Sequence, residues 1–210
     1  MLSHPHKCIF VHIPKTGGTS VEQIIWPSVQ DRTESEFWMG FIDEYRNKYQ
    51  TGGLQHLLAD QIRQEIGRAR FDEYFKFTVV RNPWSKAVSQ YVYMHDRADL
   101  MSFVGMNDGD EFKTYLSLIR KKQHVQWLPQ FRFFMDENGS EIVDFVGRFE
   151  SFDDTVYEVL EKLSIQERVI PHVNKGIKEE LGSYYDNEAL EIVGEMYKLD
   201  IDLLGYEVPF

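Results

Sequence analysis

The sequence has little cysteine and no long hydrophobic run. Cys8 is its only cysteine, and one thiol can build neither an intramolecular disulfide framework nor a cysteine-rich zinc site. No stretch approaches the ~20 consecutive apolar residues that a membrane-spanning helix needs, and no apolar segment follows a basic start as in a secretory signal. We therefore expect a cytoplasmic chain without a transmembrane segment, although a Golgi lumenal domain separated from its anchor would show the same pattern.

Positive charge is also scarce. Lys and Arg number 23 against 34 Asp and Glu, so the net charge is −11 with neutral histidines. This balance argues against non-specific nucleic-acid binding, which needs a basic face, and it requires any anionic ligand to be held by local donors. Apolar surface is plentiful, since 42% of the residues are hydrophobic and 14% are aromatic. Because no linker divides the 210 residues, we predict a single domain over 1–210.

Short apolar runs that end at turn signals predict buried strands. They cover Lys7–Ile13, Tyr74–Val80 and Glu141–Phe149. The segment before the first strand, which carries His4 and His6, is expected to fray.

Helices are predicted between these strands. Apolar residues spaced by four indicate two amphipathic helices, the first carrying Phe37, Phe41 and Tyr45 and the second Leu54, Leu58, Ile62 and Ile66. Capping residues indicate further helix starts at Thr19 or Ser20, Pro83, Asp110, Ser151 and Asp186, the last helix running to Leu204. The alternation predicts an α/β fold with a mainly parallel sheet flanked by helices.

The first chemical motif follows the first predicted strand, where the sequence reads HIPKTGGTS from His12. Loops at the carboxyl ends of parallel strands bind anions, because the N-terminus of the following helix offers free N–H groups. Two consecutive glycines let the backbone approach an oxyanion closely. The motif adds one cation and three hydroxyls, and its candidate ligand-binding residues are Lys15, Thr16, Gly17, Gly18, Thr19 and Ser20.

This motif differs from the nucleoside-triphosphate loop G-x-x-x-x-G-K-[ST], in which the lysine follows the glycines. Here Lys15 precedes them, and the second strand ends at Arg81 where a magnesium-binding aspartate would be expected. Asp144 lies in the third predicted strand and resembles such an aspartate, but no other residue supports that role. A metal-dependent phosphoryl transferase is therefore disfavoured.

The second motif, RNPWSKAVSQY, begins at Arg81 directly after the second predicted strand. If a helix starts near Pro83, Ser85 and Ser89 share a face that points back towards Arg81. A guanidinium and a hydroxyl that converge in this way suit a terminal phosphate group. The alternative is an arginine paired with a surface carboxylate and a serine in solvent.

Together the two motifs resemble those of sulfotransferases that use 3′-phosphoadenosine 5′-phosphosulfate (PAPS), and the resemblance is greatest to the carbohydrate-type family 2. Further similar stretches are Leu54–Arg63, Phe145–Glu150, Pro171–Asn174 and the C-terminal Tyr197–Tyr206. Many relatives have Ser-x-Arg shortly after the His-x-Asn segment, whereas this chain has Lys175-Gly176-Ile177-Lys178.

The resemblance implies a single α/β domain related to the P-loop nucleotide-kinase fold. It implies that residues 15–20 hold the 5′ end of PAPS and that Arg81 and Ser89 hold its 3′-phosphate. It also implies transfer without a metal to an acceptor hydroxyl, most often on a glycan. The acidity of the chain argues against a densely anionic polysaccharide as that acceptor.

Sulfuryl transfer needs a base for the acceptor hydroxyl and a cation at the leaving oxygen. We assign the cation to Lys15 and the base to His56, because an imidazole accepts protons near neutral pH. For His56 the alternative is a buried structural histidine on an amphipathic helix. His12, within the first strand, is expected to make a structural hydrogen bond.

Arg120, Lys121 and Lys122 form the most basic segment, with Trp127 close behind. They suit an anionic acceptor and sugar stacking, or equally a helix C-terminus and core packing. For the whole chain two other functions stay open, a P-loop-type kinase of small metabolites and a non-catalytic module that binds nucleotides or glycans.

Overall fold

A computed structural model describes residues 1–28, 31, 54–166, 169–171 and 180–210. The chain groups into two compact units, the first within 1–80 and 130–174 and the second within 81–129 and 175–210. Each unit is described separately below. The single domain over 1–210 stays a prediction.

The first unit contains a sheet whose strands are ordered β1-β2-β3-β4. Their bounds are Leu2–Ser3 (β1), Cys8–Val11 (β2), Phe75–Val80 (β3) and Phe145–Arg148 (β4). β1 is antiparallel to β2, while β2, β3 and β4 run parallel, with Val11 beside Thr78 and Val80 beside Arg148. The predicted α/β class and mainly parallel sheet are confirmed.

The three predicted strands are present with shorter bounds, but the expectation that the N-terminal segment frays is wrong. Met1 and Leu2 are fully buried, and β1 pairs with β2. His4 Nδ1 lies 2.7 Å from the Tyr74 hydroxyl. Two apolar side chains and this hydrogen bond hold the segment on the sheet.

The helices of the described residues follow in chain order. They are Gly18–Ile25 (α1), Ala59–Ile66 (α2), Arg68–Glu73 (α3), Pro83–Met94 (α4), Ala98–Val104 (α5), Phe112–Ile119 (α6), Phe131–Phe134 (α7), Phe152–Lys162 (α8), Asn187–Met196 (α9) and Lys198–Leu204 (α10). In this part of the chain no helix is long and apolar enough to cross a membrane.

The core of the first unit lies between the sheet and two helices. Phe10 of β2 and Phe77 of β3 stack with ring centres 4.9 Å apart. Ile24 of α1 and Val156 of α8 belong to the same buried cluster. This packing fixes α1 against the sheet and so fixes the loop that joins β2 to α1.

The second unit is helical. α9 packs against α6 and α4, and the Tyr197 hydroxyl donates to the Trp127 carbonyl oxygen at 3.0 Å. Asp186 caps α9 as predicted, since its carboxylate accepts from the Ala189 N–H at 2.8 Å. The helix predicted to run to Leu204 ends at Met196, and α10 follows Tyr197.

Two predicted helix starts are wrong by one to three residues, and a third is right in position but not in its cap. Gly17, in the left-handed region at φ 86°, precedes α1, so neither Thr19 nor Ser20 is its cap. Glu111 rather than Asp110 precedes α6. α8 begins directly after Ser151, as predicted, but Ser151 makes no side-chain cap hydrogen bond there, and a 3-10 turn runs into the helix.

The helix predicted from Leu54 to Ile66 is a 3-10 turn, Leu54–His56, followed by α2. Gln61 at the third position of α2 accepts from the Leu58 N–H at 2.9 Å, which sets the helix start after Leu58. The helix predicted from Phe37, Phe41 and Tyr45 lies outside the described residues.

Candidate functional site

The loop between β2 and α1, predicted to bind an anion, has two residues with a left-handed backbone. Lys15 and Gly17 both adopt left-handed backbone conformations, with φ of 68° and 86°. Such a φ is uncommon for a residue with a side chain and is found often at functional turns. α1 begins at Gly18, and in its first turn the Ser20 N–H donates to the Gly17 carbonyl oxygen at 3.0 Å. The first N–H groups of a helix otherwise have no partner within it.

The hydroxyl side chains of this loop differ in their surroundings. Thr16 is fully buried, and its hydroxyl donates to the Ile13 carbonyl oxygen at 2.9 Å. The Thr16 side chain therefore braces the turn. Thr19 is exposed and Ser20 is buried at the start of α1, while Lys15 is half-buried.

Both glycines are required by close packing. A Cβ on Gly18 would lie 2.0 Å from Nε2 of His12. A Cβ on Gly17 would lie 2.6 Å from the Phe152 ring, and the φ of 86° disfavours a side chain there in any case. The loop thus follows the surface of two rings, and a bulkier residue at either position would displace it.

His12 is held in place by an acidic partner on α1. Its Nδ1 lies 2.9 Å from Oε1 of Glu22, and both side chains are largely buried. The ring also stacks on Phe10, with centroids 5.2 Å apart. The Nδ1 of His12 makes no hydrogen bond of regular geometry, so the expected structural hydrogen bond is not found at this nitrogen. The contact with Glu22 and the stack on Phe10 still link the end of β2 to the first turns of α1.

His56 lies against the same ring. It is 8% exposed, its ring centre is 4.6 Å from that of His12, and its Nδ1 lies 3.0 Å from the His12 carbonyl oxygen. A carbonyl oxygen only accepts, so Nδ1 must carry the proton of this hydrogen bond. In a neutral ring Nε2 then holds the lone pair, which is the state that a general base needs.

The second motif lies in the second unit. Arg81 follows the last residue of β3 and is half-buried, as is Ser89 on α4. Asn82 caps α4, since its Oδ1 accepts from the N–H groups of Trp84 at 3.1 Å and Ser85 at 3.4 Å. Pro83 occupies the first turn, as predicted.

Two supporting residues were missed at the sequence level. Glu22 gives no motif signal, since a glutamate in an amphipathic helix is ordinarily a solvated one. Asn82 could have been found, because Asn before Pro and a helix is a recognised cap pattern. Its Nδ2 also donates to the Glu207 carbonyl oxygen at 2.8 Å. These two residues lie 125 positions apart in the sequence, so local sequence patterns do not reveal their contact.

The acidic residue that resembled a magnesium ligand has another partner. Asp144 Oδ2 accepts from the Lys76 backbone N–H at 2.8 Å and lies 2.9 Å from Lys76 Nζ. Across the ranges that the structure describes, no three His, Cys, Asp or Glu side chains come together as a metal-ligand group.

The sequence model of one protein family matches nearly the whole of this chain. The sequence model of the sulfotransferase family, family 2, matches residues 1–207. A protein from Archaeoglobus fulgidus, described only as uncharacterized, is 30% identical over 115 residues, which cover 54% of this chain and 87% of that protein. A search of solved structures gives no match. The chain belongs to the sulfotransferase family, as its two loop motifs together predict.

Proposed function

We propose that this protein transfers the sulfuryl group of PAPS to a hydroxyl group of a carbohydrate, by in-line displacement without a metal ion. The observation that carries the proposal is the hydrogen bond of the buried His56 to the His12 carbonyl oxygen. It leaves Nε2 as the basic nitrogen, on a ring that packs beside the start of the loop between β2 and α1.

The loop after β2 fits an anionic phosphosulfate group. Gly17 and Gly18 have backbone positions that exclude side chains, and α1 contributes the positive end of its dipole. In this proposal Lys15, Thr16, Gly17, Gly18, Thr19 and Ser20 hold the 5′ end of PAPS, while Arg81 and Ser89 hold the 3′-phosphate.

Each residue then has a defined chemical task. His56 Nε2 takes the proton of the acceptor hydroxyl as its oxygen bonds to sulfur. The bond from sulfur to the bridging oxygen breaks, and Lys15 stabilises the negative charge that grows on that oxygen. The products are a sulfate ester and 3′-phosphoadenosine 5′-phosphate, which leaves with the bonding electron pair.

Labelled PAPS and a panel of neutral sugars, acidic sugars, small alcohols and tyrosine peptides provide the direct test. We expect labelled ester on a sugar, with one 3′-phosphoadenosine 5′-phosphate released per transfer. No transfer to any sugar would contradict the carbohydrate part of the proposal. Thermal stabilisation by ATP with Mg²⁺ but not by 3′-phosphoadenosine 5′-phosphate would indicate a kinase instead.

Variants of two histidines test the base. His56→Ala should abolish turnover, a loss of about 10²–10⁴-fold for a general base, while stabilisation by 3′-phosphoadenosine 5′-phosphate survives. His56→Asn keeps an N–H donor for the His12 carbonyl and controls for lost packing. His95→Ala, at an exposed position, should retain full turnover. Near-normal turnover in both His56 variants would refute the assignment.

A further inference from the structure

Glu22 carries a largely buried carboxylate for which the proposed transfer has no task. It lies on α1, and only 13% of its side chain is exposed. Among the residues that the structure describes, His12 is its one side-chain partner, with Oε1 2.9 Å from Nδ1. Withdrawing a carboxylate from water costs free energy that a single contact of this kind recovers poorly. Stability therefore does not explain a glutamate at this position.

The interaction between Glu22 and His12 is not shared with another charged group. The Met1 amine is the other ionisable group that Glu22 affects, and burial lowers the pKa of this amine to about 5, against a smaller opposing effect of Glu22. The amine is therefore neutral at pH 7, and it donates to the Phe10 carbonyl oxygen at 2.7 Å. On its other side His12 contacts the ring of His56. In the described part of the chain, the Glu22 carboxylate thus acts on His12 alone.

The Glu22 contact determines which way the His12 ring faces. An imidazole turns about a broad terminal torsion angle, so packing alone leaves two flipped orientations of nearly the same shape. In the observed orientation Nδ1 faces Glu22, and Nε2 lies 2.0 Å from the position of a Cβ on Gly18. The contact lacks regular hydrogen-bond geometry. A carboxylate at this distance nevertheless attracts the nitrogen edge of the ring more than the carbon edge that a flip would bring there.

Two parts of the candidate site rest on the His12 ring. Its centre lies 4.6 Å from that of the His56 ring, and the His12 carbonyl oxygen accepts the hydrogen bond from His56 Nδ1. Its other edge lies against Gly18, where α1 begins. A rotation of the His12 ring would therefore displace both the proposed base and the loop assigned to PAPS.

We propose that Glu22 is a positioning residue for sulfuryl transfer, which holds the His12 ring in the orientation that supports His56 and the loop after β2. This inference rests on the proposed function and adds to it a residue that acts only through His12. Loss of the contact should lower kcat more than it raises KM for the acceptor, because a misplaced base impairs the reacting geometry more than it impairs binding.

Glu22→Leu tests the proposal, since leucine keeps most of the side-chain volume without the carboxylate. Its kcat should fall about 10–100-fold, the effect of a small displacement of a catalytic group, while its stability in urea equals or exceeds that of the wild type. A residue with only a structural role would lose stability and activity together. Glu22→Gln keeps a polar group beside Nδ1 and should recover part of the kcat. Gln23→Leu, at the half-buried next position of α1, is the matched control and should keep full kcat.

A double-mutant cycle tests whether Glu22 acts through His12. His12→Leu removes both ring nitrogens, so the carboxylate no longer has a ring to orient. Adding Glu22→Leu to His12→Leu should then lower kcat less than about twofold. An equal 10–100-fold loss in both backgrounds would overturn the proposal, as would wild-type kcat in Glu22→Leu alone.

Nitrogen-15 NMR of the imidazole rings gives a readout that needs no turnover. Glu22→Leu should shift the ring signals of both His12 and His56 and should weaken binding of 3′-phosphoadenosine 5′-phosphate. Absence of transfer by the wild type to any acceptor would contradict the proposed function, while the spectra and the nucleotide affinity would still decide the role of Glu22. Unchanged His56 signals together with unchanged nucleotide affinity in Glu22→Leu would overturn that role.

Discussion

His12 joins several parts of the candidate site through one imidazole ring. Its ring contacts Phe10 on one side and His56 on another, and its Nδ1 lies 2.9 Å from Glu22. Nε2 faces the position that a Cβ on Gly18 would occupy. Because the ring is confined in all these directions, it has little freedom to make room for a side chain at 18.

Gly18→Ala is therefore expected to destabilise the protein by about 1–3 kcal/mol, the usual cost of an added methyl group in a packed interior. The same change should weaken binding of 3′-phosphoadenosine 5′-phosphate, because the loop must move. Urea denaturation and thermal shift with that nucleotide measure the two effects.

Gly194→Ala is the matched control for Gly18→Ala. Gly194 lies inside α9, and a Cβ there would meet nothing within 4 Å. This substitution should stabilise the protein by about 0.5–1 kcal/mol, since alanine favours a helix over glycine. Equal effects of the two substitutions would refute the packing argument for Gly18.

His124 makes the stability depend on pH. Burial lowers the pKa of His124, with a smaller opposing effect from Asp99. His124 then binds a proton less readily in the folded state than in the unfolded chain. Its contribution to the free energy of unfolding is therefore fully present above the usual pKa of about 6.5. That contribution is lost as the pH falls towards the lowered pKa.

Urea denaturation at about pH 7.5 and about pH 5 checks this sign. The wild-type protein should lose more free energy of unfolding on acidification than His124→Gln. His95→Gln, at an exposed site, should follow the wild type. A wild-type slope equal to that of His124→Gln would show that His124 does not titrate differently in the two states.

At the residue scale, the sequence predicts which residues form the loops but not what supports them. Lys15, Gly17 and Gly18 are evident because a strand, a glycine pair and a helix follow each other along the chain. The contact between His12 and Glu22 is not, since it depends on the direction in which α1 leaves the loop. Sequence spacing alone does not determine that direction.

Among the helices, α4 carries most of the second motif, and the stability of its first turn depends on the Asn82 cap. Asn82 accepts from two N–H groups of the first turn and donates to the Glu207 carbonyl oxygen. One side chain therefore satisfies groups at the helix start and ties the C-terminal segment to it.

Asn82→Ala should lower the free energy of unfolding by about 1–2 kcal/mol, the range for a lost helix cap. Asn82→Asp keeps the acceptor and should recover part of this, while losing the donor to Glu207. Ser151→Ala, at a helix start where the side chain makes no cap bond, should change stability by less than about 0.5 kcal/mol. Urea denaturation of all three variants decides whether the Asn82 cap has this effect.

The sequence predicts the strands more accurately than the helix starts, for a physical reason. Parallel strands are buried on both faces, so Phe75–Val80 is rich in large apolar residues, with Lys76 and Thr78 as its polar members, and Pro83 follows its end. Helix starts depend on which backbone N–H groups remain without partners. At α1 the start is set by the left-handed Gly17, and at α8 a 3-10 turn leads into the helix in place of a side-chain cap; side-chain patterns reveal neither feature.

At the scale of the whole molecule, the net charge of −11 does not determine the electrostatic potential at a bound anion. Charges more than about 8 Å away are largely screened at physiological salt. In the proposed function the loop after β2 supplies local donors to the bound nucleotide, namely backbone N–H groups and Lys15. Binding of 3′-phosphoadenosine 5′-phosphate should therefore persist at physiological salt and weaken as salt is raised further, as titrations of that nucleotide against salt would show.

The single thiol reports on the opening of the fold as a whole. Cys8 is fully buried in β2, between β1 and β3, and burial raises its pKa to about 12. Since the thiolate is the reactive form, a rise of the pKa from 9.0 to about 12 slows alkylation of Cys8 about a thousandfold, even before access to the thiol is considered.

Iodoacetamide labelling of Cys8, followed by mass spectrometry, should thus be at least that much slower in buffer than in concentrated urea. Rapid labelling in buffer alone would contradict the burial of Cys8 and show that β2 opens locally, well below the free energy of global unfolding.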